Sequence, residues 1–297
     1  MVDVDVAVAA HATIGESPTW LATEGALYWI DVKRPALHRY VPAGGESRTW
    51  TLTSDVGAFA LCEDGSAVVA LRHGLHRLAL SNGQLDLLAP PPFDPMLFRF
   101  NEGICDDSGR FWVGVMFDPV EAGPAPQKGH LHSFTFTGGL RREHDRAELH
   151  NGMAISEDGT KFFLSHSKQG SIYSFDFHAD AATLGARTEF ARVATDVGLP
   201  DGAAFDTNGC YWCALHGAGR LRRYTPQGGV DQEVELPVSK PTMCAFGGDD
   251  LDTMYVTSAA EGVDLSEEPL AGALLRFHPG AKGIARSCTV RADRRIF

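Results

Sequence analysis

Leu199–Pro226, LPDGAAFDTNGCYWCALHGAGRLRRYTP, reads as three short strands joined by two turns. Ala203–Phe205 is apolar and runs into the turn signal Asp206-Thr207-Asn208-Gly209. Cys210–Leu215 follows and is broken by His216-Gly217-Ala218-Gly219, and Leu221–Tyr224 leads to Pro226. Short β-rich runs punctuated by Asn, Asp and Gly clusters mark antiparallel strands. A carboxylate, Asp201, stands just before the first of them.

Working outward, the same unit recurs when the chain is aligned on the glycine, or its substitute, that precedes the second strand. The copies fall at Gly25 (GALYWIDV), Gly65 (GSAVVALRHGLHRLAL), Gly109 (GRFWVGVM), Gly159 (GTKFFLSHSKQGSIYSFDF), Gly209 and Asp252 (DTMYVTSA), 40 to 50 residues apart. Between them lie candidate outer strands at 48–53, 85–88, 141–149, 188–193 and 230–236. A period of about 40–50 residues with four short strands predicts a propeller blade, and six copies predict six blades. The predicted fold is all-β: a six-bladed β-propeller of four-stranded antiparallel blades, one domain over 1–297. A two-sheet sandwich is the alternative, but it gives no reason for six equal units. The alternating segment Asp3–Ala10 is expected to close the ring as the outer strand of the sixth blade, with Ser287–Arg295 as its competitor.

Composition narrows the function classes. The chain has 297 residues, 26 basic and 38 acidic, for a net charge of −12. A phosphate-tracking nucleic-acid binder would carry a basic footprint instead. No apolar run approaches the ~20 residues of a membrane span, and MVDVDVAVAA lacks the basic start of a signal peptide. A cytoplasmic protein, a monomer or weak homodimer without nucleic-acid or membrane partners, is expected. Six cysteines in such a chain do not suggest a disulfide framework. Cys210 and Cys213 form a C-x-x-C, but residues three apart on a strand face opposite sides, so ordinary buried thiols are expected.

Counting back eight residues from the aligned glycines gives Gly57, Asn101, Asn151 and Asp201, and a copy one residue longer gives Glu16. The sixth blade offers Thr242 or Cys244. In a propeller these positions open the channel-lining strand, so four of six blades aim an oxygen-bearing side chain at one spot on the axis. Asn151-Gly152 and Asp201-Gly202 are also favoured hairpin turns. Turn chemistry, however, does not explain Glu16-Ser17-Pro18 or Asn101-Glu102-Gly103 at the same register. Glu, Asn, Asn and Asp together suit a hard or borderline divalent cation: calcium, magnesium, manganese, zinc or ferrous iron. Long loops at 90–100, 118–129 and 259–270 belong to the same end, and long loops in compact domains are commonly functional. Arg99 and Asp118 come from two of them, Arg99 having Asp94 or Glu102 as alternative ion-pair partners. His73, His166 and His216 lie between second and third strands, where each is a candidate site residue or a turn residue.

GESPTW (15–20), RFNEG (99–103), NGMA (151–154), PDGAAFD (200–206) and CAFGGDDLDTMYVTSA (244–259) resemble the regucalcin/gluconolactonase family, also called the senescence marker protein family. The resemblance runs nearly the whole chain in order. It implies a six-bladed propeller holding one divalent metal through Glu16, Asn151 and Asp201. It further implies that Arg99 and Asn101 contact a sugar lactone, with Asn101 near the metal through water. Asp118 is matched to an acidic residue that follows the preceding strand in some relatives. Four positions depart from the pattern. Glu102 replaces a frequent Asp, and His150 a usual Ser or Thr. His166 stands where many members have Asp, and His216 lies near a usual aromatic.

The implied activity is a metal-dependent hydrolase that opens gluconolactone or a pentonolactone such as arabinono- or xylonolactone. Asp201 would be both ligand and catalytic base, since lactone hydrolysis needs a polarised carbonyl and an activated water. No G-x-S-x-G elbow is present, which disfavours a serine nucleophile. The competing readings are a phosphotriesterase-like hydrolase and a calcium-responsive binding protein without catalysis.

Overall fold

The computed structural model describes residues 2–285 and 289–291. Six four-stranded antiparallel blades follow one another around an axis, the first five built from consecutive strands, and the second carries a short fifth strand from the C-terminal segment. The inner strands are Gly15–Leu21, Val56–Cys62, Phe98–Cys105, His150–Ile155, Leu199–Phe205 and Pro241–Gly247, defining blades 1 to 6. The expected outer strands are present, the one in blade 4 starting earlier, at Thr183. Asp5–Val8 pairs antiparallel with Leu274–Phe277 and completes blade 6, so the N-terminal strand closes the ring. The C-terminal candidate has a different place. Its described residues Thr289–Val290 pair parallel with Leu61–Cys62 of the blade 2 inner strand. Residues 286–288 and 292–297 of that segment lie outside the described residues.

The aligned residues earn their place through the turn they make. Gly25, Gly65, Gly109, Gly159 and Gly209 all have φ between 56° and 80°, a region that glycine enters without a Cβ penalty. In blade 6 it is Leu251, before Asp252, that takes φ 53°. The best-formed turn is also held by a buried carboxylate. Asp206 accepts Asn208 N–H at 2.9 Å and Cys210 N–H at 3.0 Å, and its other oxygen accepts Trp212 Nε1–H at 2.9 Å. Asp106 repeats the arrangement with Trp112 in blade 3.

Alternation then builds the core. Along the second strand of blade 1, Ala26, Tyr28 and Ile30 face blade 2 while Leu27 and Trp29 face blade 6. Every blade-to-blade seam carries its own apolar cluster by the same two-residue period. The five described cysteines are buried and none of them is in a disulfide, in accord with the sequence expectation. No helix among the described residues is long and apolar enough to cross a membrane.

Candidate metal and active site

All six inner strands carry a β-bulge at the aligned register. Pairing slips between Glu16 and Thr19, Val56 and Ala58, Asn101 and Gly103, Asn151 and Ala154, Pro200 and Ala203, and Pro241 and Met243. A bulge bends its strand and re-aims a side chain. In three blades the residue after the oxygen-bearing position is left-handed: Ser17 (φ 53°), Glu102 (φ 49°) and Gly152 (φ 62°). Asn151-Gly152 is therefore a bulge inside a strand, and Asp201 lies within Leu199–Phe205 instead of ahead of it. Arg99 likewise belongs to the strand Phe98–Cys105, not to the Pro-rich loop. These starts were set too late because a bulge interrupts the two-residue alternation by which a strand is read. Gly57 is bare for a steric reason: a Cβ there would meet the Phe100 carbonyl oxygen at 1.9 Å.

Glu16, Asn101, Glu102, Asn151 and Asp201 are all buried around the upper channel. Asn101 Nδ2 donates to the His150 carbonyl at 3.0 Å and to Asn151 Oδ1, whose own Nδ2 donates to Ser167 Oγ at 3.0 Å. Both amide nitrogens are thus turned away, which orients the Asn151 carbonyl oxygen. Glu102 points sideways. Its oxygens accept Gly152 N–H at 2.9 Å and Met153 N–H, so it clamps the neighbouring bulge. Thr242 Oγ1 donates to the Gly15 carbonyl and braces the Glu16 strand.

The electrostatics of this cluster are unbalanced. Burial pushes the Glu16 carboxyl up to about 7, against the Ser17 N–H and the Arg99 charge. Glu102 rises to about 8 through burial and the charge of Glu16, despite its two N–H donors. Asp201 is raised well above the ordinary carboxylate range by burial, then by Glu16 and Glu102. Its Oδ1 is buried without a hydrogen-bond partner. Glu16, the oriented amide oxygen of Asn151 and Asp201 with its orphaned Oδ1 form an all-oxygen donor set, in which Glu16 and Asp201 repel each other. It fits a hard divalent cation.

A second network lies at the mouth. Arg99 is buried, with Nη1 donating to Asn101 Oδ1 at 2.7 Å and Nε to Asp118 Oδ2 at 3.1 Å. Asp118 also accepts Lys33 Nζ at 2.8 Å and Arg72, while Asp55 accepts Lys33 at 2.9 Å and Arg72 at 2.9 Å. Arg99 pairs with Asp118, and neither Asp94 nor Glu102 is its partner. Lys33, Arg72 and Asp55 escaped the sequence reading. The available signal was their place beside the same strand ends, between strands two and three for the two cations and just before Gly57 for Asp55.

Two of the candidate histidines turn away from this site. His150 and His166 are buried with their side chains turned to Asp145, on the seam between blades 3 and 4. His166 and His216 are the last residues of strands and not loop residues. His216 is lowered to about 4 by burial and by the nearby Lys240 and Lys168 charges. Below the bulges the channel changes character. A cavity of about 570 Å³ there is lined by residues such as Phe59, Ile104, Ile155, Ala204 and Phe246, with no carboxylate, His, Lys or Arg among its described lining. The chemistry belongs to the upper end.

Residues 14–260 match the family described as SMP-30/Gluconolactonase/LRE-like region. The 6-deoxy-6-sulfogluconolactonase of Pseudomonas putida is 36% identical over 282 residues, covering 92% of this chain and 94% of that protein. Regucalcin of Gallus gallus is 31% identical, covering 91% and 93%. Among solved structures, a luciferin-regenerating enzyme superposes with a TM-score of 0.89 at 24% identity, covering 98% of this chain and 100% of that one. A regucalcin from Agrobacterium tumefaciens, described as a calcium-binding protein, gives 0.88 at 24%, covering 97% of each. Motif order, bulge register and overall similarity agree: the chain belongs to the SMP-30/gluconolactonase/LRE-like family.

Proposed function

We propose that this protein is a metal-dependent lactonase, a carboxylic ester hydrolase that opens a sugar lactone to its aldonic acid. The observation that carries it is the uncompensated group of buried acids, Glu16, Glu102 and Asp201, beside the buried Arg99–Asn101 pair. The relatives named for lactonase activity support the substrate class. Glu16, Asn151 and Asp201 would hold one divalent cation. Bound there, such an ion supplies Lewis-acid polarisation of a carbonyl and a lowered water pKa.

The chain's own residues do the rest. Asp201 takes the proton of the attacking water and returns it to the ring oxygen as the acyl C–O bond breaks. Arg99 and Asn101, already locked together, orient the lactone hydroxyls and hold the ring for attack. Asp118 anchors Arg99 through Oδ2 and would contact the lactone beside it. Glu102 keeps the Asn151 bulge in place through its two N–H contacts.

The test is acid release from a lactone panel by protein stripped of metal and then resupplied with each ion separately. The panel holds glucono-, arabinono-, xylono- and 6-deoxy-6-sulfogluconolactone, with an aryl phosphotriester alongside. Metal-dependent turnover of at least one lactone is expected, well above that of the phosphotriester. Turnover confined to the phosphotriester would assign the scaffold to that chemistry. Calcium uptake with no hydrolysis of any member would leave a binding protein.

A further inference from the structure

Asp145, His150 and His166 form a second cluster that the lactonase chemistry does not use. Their three inward atoms, one carboxylate oxygen and two imidazole nitrogens, lie within 4.8 Å of one another, and all three residues are buried. Asp145 comes from the outer strand of blade 3. His150 opens the inner strand of blade 4, and His166 ends the strand paired beside it. His166 Nε2 is 2.7 Å from Asp145 Oδ2, and His150 Nε2 is 3.3 Å from the same oxygen. That second contact is long and poorly aligned, so His150 Nε2 is buried with only a weak approach to Asp145.

From this we infer a second metal site, in which Asp145, His150 and His166 bind one transition-metal ion of the zinc class, separate from the hard-cation site in the channel. Two imidazoles and a carboxylate are a donor set for zinc, cobalt or iron and a poor one for calcium. The outer partners of such a site are already present. His150 Nδ1 lies 3.3 Å from both the Val115 N–H and the Val115 carbonyl oxygen, and in the tautomer that donates to the carbonyl the Nε2 lone pair faces the cluster. Asp145 Oδ1 accepts Arg187 Nη1 at 3.2 Å, which fixes the carboxylate and frees Oδ2. Arg187 itself is half exposed and lies over the Tyr173 ring, so its charge is screened. With metal–ligand bonds of about 2.0–2.1 Å, a tetrahedral ion separates its ligands by roughly 3.4 Å. The His150 distance already matches, and the His166 contact must open by about 0.7 Å. A surface cleft lined by Gln127, His144 and Arg187 reaches Asp145 and gives an entry path.

The inference is tested on full-length protein stripped of metal, saturated with calcium to fill the channel, and then titrated with cobalt(II) and, separately, zinc. One further equivalent per chain is expected, with a visible cobalt absorption typical of imidazole ligation. At least a tenfold loss of affinity is expected in His166→Gln, whose calcium uptake and circular dichroism should match wild type. If His166→Gln does not fold, the double variant His150→Ser/His166→Asp, which removes both imidazoles, should fold and lack the cobalt band. The inference is overturned if calcium-loaded wild type takes up no further ion, or if the variants bind cobalt as wild type does. None of these readouts requires lactone turnover.

Discussion

Glu16, Glu102 and Asp201 in the channel and Asp55 and Asp118 at its mouth are acids on neighbouring blades, yet burial has opposite outcomes for the two groups. Burial alone would raise all five. At the mouth it is outweighed for Asp55 by hydrogen bonds from Lys33 and Arg72, and for Asp118 by the charge of Arg99 and contacts with Lys33 and Arg72. In the channel Arg99 is the only cation that acts, and the acids burden one another instead. The mouth is a finished structure, whereas the channel lacks a positive charge. On the function proposed above, that difference, and not burial as such, is what would draw a cation to the channel.

The sharpest way to break this contrast is Asp201→Asn. The amide keeps a coordinating oxygen but cannot take a proton near neutral pH, so kcat should fall by about 10²–10⁴-fold even at saturating metal. Asn151→Asp, which keeps an oxygen ligand, should disturb turnover less. Recovery of Asp201→Asn to near wild-type kcat with excess metal would reduce Asp201 to a ligand.

Arg99→Ala removes the one residue that belongs to both networks. Loss of a charged hydrogen bond to substrate is worth on the order of 1.5–3 kcal/mol, or roughly ten- to a hundredfold in kcat/KM. Calcium affinity should change much less. Unchanged kinetics across the lactone panel would confine Arg99 to its pairing with Asp118.

The pH dependence of stability sharpens the comparison further. Acids whose carboxyl is raised on folding contribute stability that is full below the ordinary value of 4.5 and is lost as pH rises through about 7 for Glu16 and about 8 for Glu102. Metal-free protein should therefore melt several degrees lower at about pH 8 than at about pH 5. Saturating calcium should flatten that slope. Asp55 and Asp118 act in the opposite sense, their contribution being present above the ordinary 3.8 and lost in acid. A metal-free melting temperature that does not fall over this range would show that the channel acids are compensated by some other group.

The smallest effect belongs to Lys33→Ala. Lys33 is partly exposed and shares both its acids with Arg72. Its loss should change kcat/KM by no more than about threefold and stability by at most about 1 kcal/mol. A tenfold loss of kcat/KM would instead give Lys33 a direct contact with substrate.

Much of this was legible in the chain itself. The repeat from Gly25 to Asp252 carries the propeller because each copy needs the same left-handed turn at the same point, and glycine records that need in the sequence. The register of Glu16, Asn101, Asn151 and Asp201 was legible for a related reason, since a shared bulge holds them at a constant distance from that turn. The roles of Glu102, His150 and His166 were not. A left-handed backbone turns Glu102 toward the next blade, and Asp145 draws both histidines off the channel. Those directions depend on contacts across blade seams, which spacing along one chain does not encode. The place of the tail was not legible either: alternation marks a strand but not which edge it joins, and Thr289–Val290 lies at the inner edge of blade 2.

The central claim is that the upper channel is a cation site because its acids lack a partner. It is tested most directly by calorimetric titration of calcium into stripped protein at about pH 7, in two buffers of different ionisation heat. Wild type should bind one calcium per chain and release protons as it does so, because acids raised toward 7–8 must give theirs up. The double variant Glu16→Gln/Asp201→Asn should bind none. Absence of calcium uptake by wild type, or equal uptake by the double variant, would contradict the account.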